Sequence, residues 1–217
     1  ALEKGSSQEA KAKKLIQAGH GRLFHGATVK AISNQSKAYA ICPPSLTPSQ
    51  AAQLRSTCPD IKTVDECNRF TLYWLESCLE AGQLLPPMRG APCYQPLPHS
   101  LPLPGMDQVV VCVSGFSAAV RTAIARTVSI VGGKVTLEAM TRKNTHLICA
   151  EAKGTKFDHC GPFGVMPVVA DWLVDSIETG RLQPEENYKP RLPAAMNIAT
   201  TTGGGNGGGK PSSNAVA

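Results

Sequence analysis

Apolar and polar residues alternate along the C-terminal half of the chain in a way that predicts strands separated by helices. Residues 109–113 read VVVCV, a continuous apolar run typical of a strand buried on both faces of a parallel sheet. A helix is predicted next, because Ser117 can cap it and apolar residues then recur at helical spacing. These residues are Val120, Ile124, Val128 and Val131.

The same pattern continues to residue 180. Gly132 and Gly133 are expected to end the first helix. Further strands are predicted at KVTLE (134–138), THLICA (145–150) and PVV (167–169), with a short helix start at GTKFDHC (154–160) and a final helix over 171–180. Strands that alternate with helices imply an α/β fold, with a small parallel four-stranded sheet covered on both faces.

The final helix has a near copy 98 residues earlier (172 minus 74). WLVDSIETGRLQP begins at Trp172, and WLESCLEAGQLLP begins at Trp74. Each copy places its tryptophan beside leucine and isoleucine residues on one helical face, and each is followed by a glycine, Gly82 or Gly180, that can end the helix. The sequence therefore predicts two modules in tandem, and we interpret both tryptophans as core anchors.

The first module is predicted from shorter signals. GRLFHGATVKAI (21–32), YAICPP (39–44) and DIKTVDE (60–66) are strand candidates, and TPSQAAQLRSTC (47–58) should be helical. Seven prolines between residues 86 and 105 predict an extended, semi-rigid connection. The predicted organisation is a polar lead-in (1–20), module one (21–87), a proline-rich linker (88–105), module two (106–192) and a disordered tail (193–217).

Composition narrows the class of protein. The 217 residues are 42% hydrophobic, but the apolar runs are too short for a membrane span, so we expect a soluble protein with no membrane partner. The first residue is not Met and no signal segment opens the chain, which suggests an excerpt of a longer protein. Eight cysteines without C-x-x-C spacing favour buried thiols in a reducing compartment over a metal site, and no cofactor is predicted.

The order of elements in module two resembles the BRCT domain family. The resemblance is carried by SGF after the first strand, Gly-Gly after the first helix, THLI, GTKF and W-L-x-x-S-I-x-x-G-x-L, over residues 106–190. Module one resembles a degenerate BRCT domain through LFHG and the Trp74 helix. YQPLP, PLPGM and CVSGFS are similar to the central BRCT pair of checkpoint scaffolds that bind DNA topoisomerase II, in their plant or algal forms.

This resemblance implies a phosphate-binding site at Ser114, Gly115 and Lys156, with Arg121 as a second cation. A hydroxyl and a glycine N–H can approach phosphate oxygens closely, and an ammonium supplies the opposite charge. A helix start near Lys156 would add exposed N–H groups. The alternative interpretation is structural, since Ser-Gly after a strand is often only a turn, and Lys156 and Arg121 could be solvated surface residues.

We therefore expect a non-enzymatic adaptor, monomeric as this excerpt, that docks phosphorylated Ser/Thr segments of nuclear proteins in DNA replication, checkpoint signalling or repair. No catalytic group is predicted, because adjacent side chains such as His159 and Cys160 seldom point together. Two alternatives stay open. The net charge of +6, concentrated before residue 106, leaves DNA or DNA-end binding possible, and the surface between modules could bind partners without phosphate.

Overall fold

The computed structural model describes residues 2, 5–21, 39–57, 69–86 and 91–192, and these residues form α-helices, short 3-10 turns and parallel strands. The helices are α1 (Ser7–Ala18), α2 (Pro48–Thr57), α3 (Leu72–Ala81), α4 (Ala118–Ile130), α5 (Thr155–Asp158), α6 (Cys160–Phe163) and α7 (Ala170–Thr179). The strands are β1 (Ala40–Cys42), β2 (Arg69–Thr71), β3 (Val110–Ser114), β4 (Lys134–Thr136), β5 (His146–Cys149) and β6 (Met166–Val168). Within the described part of the chain, no helix is long and apolar enough to cross a bilayer.

Module two is built on a four-stranded parallel sheet in the order β4-β3-β5-β6, which confirms the predicted fold class. Side chains of β3 point alternately to the two faces. Val111 and Val113 join the large core beneath α4 and α7. Cys112 joins a smaller cluster on the other face, with residues of α6 and the half-buried Phe157 of α5. Helices therefore cover both faces of the sheet.

The described part of module one is smaller. It contains a two-stranded parallel sheet of β1 and β2, followed directly by α3. The N-terminal helix α1 is capped by Ser6 and packs against α3, with Ala12 buried and Lys11 forming an ion pair with Glu76. The strand candidates at 21–32 and 60–66 fall almost wholly outside the described residues, as does the predicted disordered tail.

The repeated tryptophans have the same environment. Trp74 is 2% exposed and donates its indole N–H to the Leu85 carbonyl at 2.8 Å. Trp172 is 0% exposed and donates to the Gln183 carbonyl at 2.9 Å. Because 85 and 183 also differ by the repeat offset, the two copies share this hydrogen bond as well as their sequence.

The two copies share a second hydrogen bond, which a thiol accepts in one copy and a hydroxyl accepts in the other. The Leu85 amide donates to the Cys78 thiol at 3.3 Å, and the Gln183 amide donates to the Ser176 hydroxyl at 3.1 Å. Cys78 and Ser176 occupy the same position in the two helices. The chain after each helix is therefore held by one indole and by one small side-chain acceptor.

The predicted helix-ending glycines lie where the helices stop. Gly82 and Gly180 follow α3 and α7 in the left-handed conformation, with φ of 65° and 74°. Helix α4 already ends at Ile130, and Gly132 and Gly133 form the turn beyond it. An added Cβ on Gly132 would lie 2.3 Å from Pro102, so this glycine lets the linker approach module two closely.

The proline-rich linker is packed between the modules. The sequence predicts an extended connection, whereas Pro92–Tyr94 forms a 3-10 turn and several apolar linker residues are buried. These are Cys93, Tyr94, Leu97 and Leu103, all 8% exposed or less. The linker bonds to both modules through its backbone, since the Leu46 amide donates to Leu97 and the Leu103 amide donates to Val131. The apolar residues between the prolines explain this burial.

Candidate functional site

The candidate site lies at the carboxyl edge of the module two sheet. Strands β3 and β5 are parallel neighbours, with Ser114 in register with Cys149. The Ala150 amide donates to the Ser114 carbonyl at 3.4 Å. The loops that follow the two strands therefore begin side by side, so residues distant in sequence meet at this edge.

Gly115 begins the turn after β3 and is exposed. Its φ is +79°, a left-handed conformation that favours glycine. A Cβ at this position would also lie 3.3 Å from the Ala150 Cβ, a tight contact. Because glycine carries no side chain, nothing on this residue screens its own backbone amide from a ligand.

Lys156 reaches the same edge from α5. Its ammonium donates to the Cys112 sulfur at 3.2 Å and to the Val113 carbonyl at 3.3 Å. Val113 directly precedes Ser114, so the positive charge lies close to the end of β3. The lysine side chain is half-buried, in contrast to a freely solvated surface lysine.

Ser114 and Lys156 lie on one side of the sheet. Residues two apart on a strand project to the same face, so Ser114 and Cys112 share a face. The ammonium of Lys156 contacts Cys112 on that face. The structure thus brings together a hydroxyl, an unscreened glycine and an ammonium.

Arg121 is placed differently. It belongs to α4, which packs on the Val111 and Val113 face of the sheet, opposite to Cys112. Its side chain is exposed, and no contact within the described residues joins it to Ser114 or Lys156. Arg121 therefore lies near the loop after β3 only because it belongs to the first helical turn of α4, which Ser117 caps.

Lys156 determines the electrostatics of the site. Among the described residues, no carboxylate forms an ion pair with Lys156. Helix α5 has only four residues, so the helix start expected near Lys156 contributes a single turn of N–H groups and little dipole. The lysine supplies most of the positive charge at the centre of the site.

Three of the cysteines, which the sequence predicted to be buried, cluster below Lys156, and sequence reasoning missed this clustering. Cys112, Cys149 and Cys160 are 0%, 1% and 4% exposed and belong to one cluster. Burial raises the pKa of Cys149 and Cys160 to about 11, so these thiols stay protonated at neutral pH. The contact between Cys112 and Lys156 joins residues 44 apart, and no local sequence signal could have shown it.

His159 and Cys160 do not form a nucleophile and base pair. The His159 imidazole bonds to the Thr155 carbonyl at 2.6 Å, and the Cys160 thiol donates to the Lys156 carbonyl at 3.5 Å. Each side chain is therefore engaged with a backbone carbonyl of α5. Within the described residues, no group of three or more His, Cys, Asp and Glu side chains could hold a metal ion.

A cleft of about 580 Å³ lies between the modules. It is lined by α1, α3, α4 and the chain around β4, including Tyr73 and the exposed Leu137. Its charged residues are paired within the protein, because Lys11 pairs with Glu76 and Arg126 pairs with Glu80. The cleft is therefore a largely apolar surface without a concentrated charge.

Comparison with known proteins finds similarity to proteins that contain BRCT domains. The family model described as a twin BRCT domain matches residues 109–172. A BRCT domain-containing protein of Arabidopsis thaliana, At4g02110, is 28% identical over 117 residues, which is 54% of this chain and 9% of that protein. PAX-interacting protein 1 of Mus musculus is 28% identical over 167 residues, which is 75% of this chain and 14% of that protein. The chain thus spans only a small part of these relatives.

Solved structures show the same fold. The BRCT3,4 structure of Rad4 from S. pombe covers 83% of this chain and 92% of its own, with 14% identity and a TM-score of 0.58. The structure of yeast Rtt107 and Mms22 covers 86% of this chain and 36% of its own, with 20% identity and a TM-score of 0.56. These shares of the chain are larger than either module alone could provide.

Proposed function

We propose that this chain is an adaptor whose second module docks phosphorylated serine or threonine segments of partner proteins, on the basis of its tandem BRCT fold and the match of its second module to the twin BRCT family model. The observation that carries this proposal is the Lys156 ammonium, which lies next to the end of β3 with no carboxylate among the described residues to neutralise it. A cation held in this way is available to an external anion.

The chemistry of the edge suits a phosphate group. A phosphorylated side chain carries nearly two negative charges and three strong acceptor oxygens. The Ser114 hydroxyl and the Gly115 amide can each donate to an oxygen, while Lys156 supplies a charge-assisted hydrogen bond. Arg121 lies on the other face of the sheet, so it would act only as a second, more distant cation that reaches the phosphate around the turn after β3. Removal of the phosphate would remove every one of these contacts, so binding would be switch-like.

The partners we propose are nuclear proteins of DNA replication, checkpoint signalling or repair. Tandem BRCT domains are generally non-enzymatic interaction modules, and the neighbouring yeast Rtt107 was solved with the proteins Mms22 and Slx4. A nuclear location follows from this role. Module one would orient and support module two, because its sequence has no Ser-Gly after the first predicted strand and no matching lysine.

The test uses fluorescence anisotropy with a labelled pool of degenerate peptides that share a central phosphoserine, and a matched pool with serine. We expect the wild type to prefer the phosphorylated pool. Lys156→Gln should weaken its binding by about 10- to 100-fold, because a hydrogen bond to a charged group is worth roughly 1.5–3 kcal/mol, and Lys156→Glu should abolish it. Lys143→Glu is the matched control, since Lys143 lies in the loop before β5, at the opposite edge of the sheet.

Each alternative function has its own signature in this assay. Equal affinity for both peptide pools would contradict the proposal. Steep salt dependence and competition by unrelated duplex DNA would instead indicate DNA binding. Binding that tolerates changes at both Ser114 and Lys156 would point to a phosphate-independent partner on another surface, such as the cleft between the modules.

A further inference from the structure

We propose that Cys112 is a positioning residue for this site: its sulfur holds the Lys156 ammonium at the sheet edge before the ligand arrives. The inference rests on the proposed function. It assigns a role in ligand binding to a buried core side chain that never touches the ligand.

The geometry of the contact supports this role. The Cys112 sulfur lies 3.2 Å from the Lys156 nitrogen, while Cys112 itself is 0% exposed in the central strand β3. A lysine side chain loses much rotamer freedom when it is fixed in one conformation. Because a rigid acceptor in the core already holds the side chain in the free protein, less of this entropy is lost when the ligand binds. The Val113 carbonyl, at 3.3 Å, is the second anchor.

The choice of a sulfur acceptor leaves the charge available. A cysteine sulfur is a weak hydrogen-bond acceptor, so a phosphate can compete for the ammonium easily. The neighbouring thiols Cys149 and Cys160 are uncharged at neutral pH because burial raises their pKa. A carboxylate in the place of Cys112 would instead form an ion pair with Lys156 and occupy its charge.

Lys153 shows the contrasting arrangement only three residues away. Its ammonium forms an ion pair with Glu151 in the loop between β5 and α5. Lys153 is exposed and its charge is offset, whereas Lys156 is half-buried and rests on a thiol and a carbonyl. Of these two lysines, the one that contacts Cys112 keeps its charge for a ligand.

The experiment compares Cys112→Val, Cys112→Ser and Cys149→Val in the full chain, with the same two peptide pools. Cys112→Val should bind the phosphoserine pool about 3- to 10-fold more weakly, the usual effect of having to immobilise one flexible side chain on binding. Cys112→Ser keeps an acceptor and should restore binding to within about twofold. Cys149→Val alters the same thiol cluster without touching Lys156, so it should leave the affinity within about twofold.

A second measurement detects positioning directly. In the ligand-free wild type, the two ε-protons of Lys156 should give distinct NMR shifts because the ammonium is held in one place. Cys112→Val should merge them into one averaged signal, and Cys112→Ser should restore the difference. If Cys112→Val does not fold, Cys112→Ala replaces it, and averaged ε-proton shifts in the free wild type would by themselves overturn the inference.

The two proposals fail in different ways. If the wild type does not distinguish the two pools, the proposed function is wrong whatever Cys112 does. If it does distinguish them and Lys156→Gln loses binding, but Cys112→Val binds as tightly as the wild type or more tightly, only the positioning role is wrong.

Discussion

Leu103 tests whether the linker belongs to the core of the protein or merely spans two modules. This leucine is 1% exposed, and it packs in the same cluster as Phe70 and Trp74 of module one and Trp172 of module two. Replacing it by alanine removes three buried carbon atoms but leaves the backbone bond from its amide to Val131 intact. The perturbation is therefore one of packing alone.

The burial of Leu103 sets the size of the effect. A fully buried Leu→Ala substitution costs about 2–5 kcal/mol, because transfer energy is lost and a cavity remains. For a protein of this length, about 3 kcal/mol corresponds to a fall in Tm of roughly 6–12 °C. Leu84→Ala is the matched control, since Leu84 is 61% exposed, and it should cost no more than about 0.5 kcal/mol.

The assay is urea denaturation followed by tryptophan fluorescence in two single-tryptophan backgrounds. Trp172→Phe leaves Trp74 as a reporter of module one, and Trp74→Phe leaves Trp172 as a reporter of module two. Because Leu103 packs into a cluster that both modules share, Leu103→Ala should lower the unfolding midpoint seen by both reporters. A loss below about 1 kcal/mol, or a shift seen by one reporter only, would refute the reasoning.

Two further predictions concern module two. Gly132→Ala should lower the free energy of unfolding by roughly 2–4 kcal/mol in thermal unfolding, because the added Cβ would lie 2.3 Å from Pro102 and the residue has a φ of +99°. Gly164→Ala is the control: its φ is +70° but nothing lies within 4 Å, so it should cost about 1–2 kcal/mol. Equal costs would contradict the linker contact. Burial of His146 lowers its pKa below 6.5, although the hydrogen bond from its imidazole to the Glu185 carboxylate opposes this. The unfolded chain then binds the proton more readily, so stability should fall as pH drops below about 6.5, and His146→Phe should show a smaller fall between pH 7.5 and 5.5; an unchanged pH dependence would contradict it.

The sequence predicted the elements of module two well because their signals are strong and local. The apolar run at 109–113 became β3, shifted by one residue, and the predicted helix over 171–180 became α7, also shifted by one. The repeat identified α3 in module one from its likeness to α7. These signals lie in neighbouring residues, so no knowledge of distant contacts was needed.

Other features were missed because their cause is tertiary. Strand β2 has only three residues, and it exists because it pairs with β1. Helix α6 contains Gly161 and Pro162, which indicate a loop when read locally. The linker was predicted as extended because its prolines dominate the pattern, although the apolar residues between them are buried.

The sequence identified some features of the candidate site and could not show others. Ser114, Gly115 and Lys156 were identified from a family pattern, and the structure shows that they share one edge of the sheet. The support from Cys112 could not be predicted, since it depends on how the half-buried lysine folds back across the face of β3. The separation of Arg121 on the helix of the other face likewise became visible only in three dimensions.

Cys78 and Ser176 show which positions of the repeated helix can change residue type without loss of structure. Sequence comparison of the two copies counts this position as a mismatch, yet both residues accept a hydrogen bond from the equivalent amide in the segment beyond the helix. The two copies therefore share a small hydrogen-bond acceptor at this position and not a residue type. Other small side chains that can accept a hydrogen bond should be tolerated at this position. The sequences of the two copies can therefore differ while the bend that follows each helix stays the same.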